Sequence, residues 1–181
     1  MKKLTGIVAL LTSSIVSSSM VFAGGADIRV SGDAVSLYLE PQPSPTNSAQ
    51  LALIYNNDDN SALLSAGLFA NGERQNLKGR LGGKLYYADL DHDSGYGVAL
   101  GGDFSLAVNR DLHLGVGGYY SPGSLSFSDI DGYKEWYVKG SFQVFQNAAV
   151  GVGYQSVELN PEKGRSYDLN KGVFVEMNLR F

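Results

Sequence analysis

The sequence predicts an all-β chain closed into an antiparallel up-and-down barrel that crosses a membrane. Three observations predict it: apolar residues recur with a period of two, connections alternate between short and long, and aromatic residues on the apolar faces sort by height. The composition agrees, with 23 glycines, 11 tyrosines and 8 phenylalanines in 181 residues. There is no cysteine, so stability rests on strand pairing and packing and not on disulfides.

The N-terminus is set apart from the rest. Lys2 and Lys3 precede an apolar stretch from Leu4 to Val16, and Val21, Phe22 and Ala23 form a small-residue cleavage pattern, so residues 1–23 read as a signal peptide. The apolar part is too short and too serine-rich for a spanning helix of about 20 apolar residues. Gly24 follows the proposed cut, which gives no lipid-anchoring cysteine, and 24–181 is then the barrel domain. Losing two lysines takes the formal charge from −4 to −6, an acidic balance that excludes nucleic acid as a partner. No later segment is apolar enough for a transmembrane helix, so a membrane-spanning chain must be a closed barrel.

The strands follow in order. Residues 26–31 and 33–39 alternate weakly. Residues 49–56 and 62–71 read as two more strands around a polar loop from Asn56 to Ser61, although Ala62 to Ala70 also suits a short helix. Leu77, Leu81, Leu85 and Tyr87 then oppose Lys78, Arg80, Lys84 and Tyr86, and Tyr96, Val98, Leu100 and Phe104 oppose Gly97, Ala99, Gly101 and Asp103. Leu112, Leu114, Val116 and Tyr120 oppose His113, Gly115, Gly117 and Tyr119, and Trp136, Val138, Phe142 and Val144 oppose Glu135, Tyr137, Lys139, Ser141 and Gln143. Val150, Val152 and Tyr154 oppose Gly151, Gly153 and Gln155; Val173, Val175, Met177, Leu179 and Phe181 oppose Phe174, Glu176, Asn178 and Arg180. The count is eight strands, or ten if 26–31 and 33–39 both pair, with Pro41 to Pro45 as a turn; bacterial barrels favour even numbers.

Short connections fall at Asn71–Arg74, Val108–Asp111 and Phe145–Ala148, and long polar ones at Asp89–Ser94, Ser121–Gly132 and Val157–Asn170. Outer-membrane barrels carry short periplasmic turns and long extracellular loops, which places the C-terminus in the periplasm. On the apolar faces Tyr87, Tyr96, Tyr120, Trp136 and Tyr154 lie toward the long loops, and Phe104, Phe142 and Phe181 toward the short turns. Two aromatic girdles follow, which a soluble barrel has no reason to build. Phe181, an aromatic at the end of an apolar face, resembles the signal read by outer-membrane assembly machinery; that machinery, outer-membrane lipids and lipopolysaccharide are the expected partners.

Residues 119–138, with their paired tyrosines, Pro122, a Ser-Leu-Ser step and an Asp-Gly-Tyr-x-Glu entry into a strand, resemble the YfaZ family of outer-membrane proteins, as do Val150 to Gln155 and the strand ending at Phe181. The resemblance is specific over the C-terminal third. It implies location and fold, and no substrate.

Lys78, Arg80, Lys84, Asp103, His113, Glu135, Lys139, Glu176 and Arg180 take the inward parity and are the candidate lumen residues. Two readings stand: a plug of ion pairs that stiffens the barrel, or the lining of a narrow porin-like pore. Inward glycines at 97, 101, 115, 117, 151 and 153 either make room for large neighbours such as Tyr119 and Tyr137 or mark where a pore stays open.

No cofactor, metal or catalytic residue is expected. Asp89, Asp91 and Asp93 resemble the start of a calcium loop, but Leu100 stands where an EF-hand needs glutamate. A barrel enzyme acting on lipid or peptide needs a base in reach of a nucleophile, and His92 lies in a loop while His113 has no serine on its own strand's face. Asp129 and Asp131 have nothing to orient them. Gly115 to Gly118 lacks the spacing of a dinucleotide site. The alternative to a structural or channel barrel is an enzyme, or a surface adhesion protein acting through Ser121 to Gly132.

Overall fold

In hydrocarbon every backbone N–H and C=O must find a partner inside the protein, and a sheet meets that demand only by closing on itself. A computed structural model shows this closure; it describes residues 24–41, 44–90, 93–161 and 166–181, so the expected signal peptide and the loop residues Asp91 and His92 lie outside the described residues.

The strands are β1 (Gly24–Ser31), β2 (Ala34–Pro41), β3 (Asn47–Asn56), β4 (Ser61–Arg74), β5 (Leu77–Asp89), β6 (Ser94–Ala107), β7 (Leu112–Ser121), a short β8 (Ser126–Ser128), β9 (Ile130–Phe145), β10 (Ala148–Pro161) and β11 (Tyr167–Arg180). Each pairs antiparallel with its neighbours, β1 closes on β11, and β8 adds only to the edge of β6, so the wall is a ring of ten strands. This is the larger of the two expected counts. The weak N-terminal alternation is real: Ile28 faces Leu37 on β2 and Met177 on β11. Ala62 to Ala70 is strand, not helix, because β3 and β5 supply partners on both sides.

Strands run further than sequence suggested. Asn71 to Arg74 belongs to β4 and the turn is Gln75–Asn76, where Gln75 adopts a positive φ of 57°. The expected loop Val157–Asn170 is strand at both of its ends, since Val157 to Pro161 and Tyr167 to Asn170 continue the ladder past a bulge at Val157/Glu158; residues 162–165 lie outside the described residues. Ser121 to Gly132 is not an open loop either: Gly123–Leu125 forms a 3-10 turn, and β8 folds back onto the top of β6. The final residue seals the ring, with the Phe181 N–H donating to the Gly24 carbonyl at 2.9 Å.

The faces are as the period-two pattern requires. Leu68, Leu85, Val116, Val138 and Val175 stand exposed on the outside, whereas Phe69, Tyr86, Tyr119, Tyr137 and Phe174 are buried inside. An outward row of aliphatic side chains lacks a physical reason in water and has one in lipid. Tyr96 stacks on Phe127 and Trp136 on Tyr154, ring centroids 5.5 Å apart in each pair, at the long-loop level of that face. A mid-strand test follows: Val138→Arg should lower unfolding free energy by about 2–4 kcal/mol in urea titrations from lipid vesicles, and Ser141→Arg, on the lumen face, by much less. Equal losses would contradict the face assignment.

Candidate functional site

The inward side chains build a layered lumen. Toward the short-turn end Arg80 on β5 holds two carboxylates: its Nε lies 2.7 Å from Asp103 Oδ2 on β6, and its Nη1 3.0 Å from Glu40 Oε1 on β2. The Tyr119 hydroxyl donates to Asp103 at 2.7 Å. A second cluster joins β1, β9 and β11. Lys139 Nζ lies 2.8 Å from Glu176 and 3.3 Å from Asp27, and Arg29 approaches the same two acids at 3.3–3.4 Å. The Arg29 guanidinium is caged by Tyr38, Tyr137 and Phe174, 4.5–4.9 Å from each ring centroid, and donates to Gln155.

Nearer the long-loop end, Lys84 pairs with Glu135, and the Tyr133 hydroxyl donates to the same carboxylate. Lys84 Nζ also sits 4.2 Å from the centre of the Tyr119 ring, and Tyr133 stacks on Tyr86 at 4.8 Å. Tyr86 shares a hydrogen bond with Ser126 at 2.8 Å, and Ser126 one with Ser121 at 3.0 Å. The folded-back Ser-Leu-Ser segment thus caps the barrel from above. Ile54, Leu63, Ala88, Leu90, Ile130, Val157, Leu159 and Leu169 complete an apolar layer with at most 5% exposure.

The inward glycines make room for these groups. A Cβ on Gly117 would lie 2.5 Å from the Tyr137 ring, and one on Gly153 2.5 Å from the Phe174 ring. Of the two expected roles, accommodation of large neighbours is the one built.

Of the expected lumen residues, Arg80, Lys84, Asp103, Glu135, Lys139 and Glu176 all enter these clusters. Lys78, Arg180 and His113 have inward parity but sit at the short-turn mouth: Lys78 is exposed and pairs with Glu73 at 3.5 Å, Arg180 is exposed, and His113 is half-buried. His113 stands opposite Ser141 on β9, yet among the described residues no hydrogen bond joins them. Asp27, Arg29 and Glu40 were not singled out from sequence. The signal was present in the opposition of Asp27 and Arg29 to Ile28 and Val30, but it depended on admitting β1 as a strand.

The ring closure, the aliphatic exterior and this filled interior describe an integral outer-membrane β-barrel. A family model described as YfaZ precursor matches residues 1–181. The chain belongs to the YfaZ family. Among solved structures it is similar to a KdgM porin in complex with disordered oligogalacturonate, at TM-score 0.51 and 13% identity, covering 87% of this chain and 99% of that one. It is also similar to the NanC porin, at TM-score 0.48 and 9% identity, covering 87% and 98%. A search of curated proteins returns no match. At 13% identity the similarity to the KdgM porin speaks for the barrel fold alone.

In this YfaZ-family barrel the Lys84–Glu135 pair is a deeply enclosed ionic contact, with side chains 6% and 4% exposed. Glu135→Gln, which leaves the Lys84 ammonium without its counter-charge, should lower unfolding free energy by about 3–5 kcal/mol. The double variant Lys84→Met, Glu135→Leu should recover much of that loss in the same urea titration; a double variant no better than Glu135→Gln would contradict the buried-pair account.

Proposed function

We propose that this chain is a porin-like outer-membrane barrel closed at rest, acting first as a structural element of the membrane and carrying no enzymatic activity. The observation that carries the reading is the apolar layer inside the wall: Tyr133, Val157 and Leu159 have no solvent exposure, and Ile54 and Leu63 have 1%. On this reading water and ions do not cross such a layer, because desolvating an ion there costs far more than thermal energy. Phe181, exposed at the periplasmic end of β11, is the proposed recognition point for the assembly machinery.

A second reading, a narrow channel for small solutes that opens from this closed state, is favoured by one specific feature. Around Arg29 the buried Tyr38 hydroxyl, Gln155 Nε2, Asp27 Oδ1 and Glu176 Oε1 have no protein hydrogen-bond partner, as the walls of a hydrated passage would. The KdgM porin was solved with a polyanionic oligogalacturonate. Here Arg29, Arg80, Lys84 and Lys139 are each paired with carboxylates, so among the described residues the lumen offers no basic track for a polyanion. Small neutral or zwitterionic solutes fit the second reading better.

Planar-bilayer recording separates the two. The refolded barrel should be silent, and Tyr133→Ala, which removes the ring beneath the cap, should produce discrete conductance steps. Steady openings of the unaltered protein would carry the channel reading instead. A silent Tyr133→Ala barrel that is folded by circular dichroism would show that the closure does not rest on this ring.

A further inference from the structure

Among the described residues the wall has a seam between β6 and β7, and its outer side faces lipid. β6 and β7 pair only from Ala107↔His113 up to Leu100↔Tyr120; above that point β6 takes β8 as its partner, through Tyr96↔Phe127, while β7 continues along β9. Just below the point where the strands part, a shallow and largely open depression of about 330 Å³ is lined by Leu100, Gly118, Tyr120 and Lys134, with Tyr119 and Glu135, whose side chains turn inward, at its floor. Leu100 and Tyr120 are exposed on the outer face, and Gly118 adds no side chain: a Cβ there would make ordinary contact with the Glu135 carbonyl at 3.6 Å, so a side chain fits without a clash.

The position of the lysine gives the hollow its chemistry. Lys134 lies on the same outward row of β9 as Trp136, two residues (about 7 Å along the strand) nearer the long loops, and is level with the girdle residue Tyr120. It is exposed, stands opposite Tyr120 in the β7–β9 register, and makes no ion pair within the described residues. The carboxylate across from it on β10, Glu158, accepts from Ser156 at 3.1 Å and lies 4.0 Å from Lys171. An ammonium and a phenol thus sit at headgroup height above an apolar slot.

We propose that this seam is a binding site for a phosphorylated, acylated glycolipid of the outer leaflet, the lipid A part of lipopolysaccharide. One acyl chain lies along Leu100 and Gly118, and a phosphate receives hydrogen bonds from Lys134 and the Tyr120 hydroxyl. A cation in contact with a phosphate gives a charge-assisted hydrogen bond, roughly twice as strong as a neutral one, which sets the size of the expected effect. The site depends on the long-loop end lying in the outer leaflet and is independent of whether the lumen conducts.

Native mass spectrometry of the detergent-solubilised barrel titrated with diphosphoryl lipid A tests it. Lys134→Gln should weaken binding about tenfold. Gly118→Leu, which fills the slot where a side chain has room, should do the same, and Lys171→Gln, whose lysine is held by Asp168 at 3.2 Å, should not. Dephosphorylated lipid A and phosphatidylglycerol should bind at least tenfold less well than diphosphoryl lipid A. Wild-type retention by folded Lys134→Gln and Gly118→Leu barrels would overturn the proposal. Equal loss in Lys171→Gln, or equal binding of the phosphate-free lipid, would replace it with diffuse attraction to the surface. Bilayer conductance of the same variants should match the parent protein, so failure here leaves the closed-lumen reading standing and failure there leaves this one.

Discussion

The rest of the structure depends on the pairing of β1 with β11. Seven residue pairs from Gly25↔Arg180 to Ser31↔Phe174 turn an open ten-stranded sheet, with two unpaired edges that lipid could not solvate, into a ring without edges. Closure also sets the circumference, and with it the volume that inward side chains must occupy. A ten-stranded wall is wider than one of eight strands, whose interior side chains of ordinary size just fill. The chain answers with long cations, tyrosines and phenylalanines pointing inward, and with glycines opposite them where two large groups would collide.

That filling explains why the interior charges are where they are. A buried ion pair is weak evidence for stability, because desolvation consumes most of the attraction, but a pair with one partner removed is costly. Four cations against five carboxylates, cross-linked through Arg29, Arg80, Lys84 and Lys139, therefore act less as glue than as constraints: each charge holds strands far apart in sequence in one register. Arg80 joins β2, β5 and β6, and Lys139 joins β1, β9 and β11. The residues by which the chain resembles its family lie in the same closure. Tyr119, Ser126, Tyr133 and Glu135, drawn from the paired tyrosines, the Ser-Leu-Ser step and the Asp-Gly-Tyr-x-Glu entry, form the upper plug.

The outer face was legible in the sequence because lipid imposes a period of two on it; Leu77 to Tyr87 and Trp136 to Val144 carry that pattern with only Gly79, Gly83 and Gly140 among the apolar positions. The inner face was legible as a parity and not as a set of contacts. Parity places Lys84 and Glu135 inside but cannot say that they meet, since β5 and β9 are separated by two strands around the ring. It cannot distinguish Arg80, held among its acids, from Lys78, which has the same parity at the open mouth. The ends of strands were the least legible. Polar residues such as Glu158, Asn160 and Asp168 read as loop, yet in this wall they extend the ladder beyond the hydrocarbon, where water accepts their side chains.

If the lumen is closed as proposed, water enters it from the short-turn end and does not cross, and the absence of cysteine from the sequence makes this directly measurable. Single cysteines at Ser105, inward near the short-turn mouth, and at Val157, inward in the apolar layer, would be exposed to a small charged thiol reagent in reconstituted vesicles. A closed lumen gives rapid labelling of Ser105→Cys and protection of Val157→Cys in barrels that remain folded. Rapid labelling at both positions would mean a water-filled passage through the membrane and would contradict it.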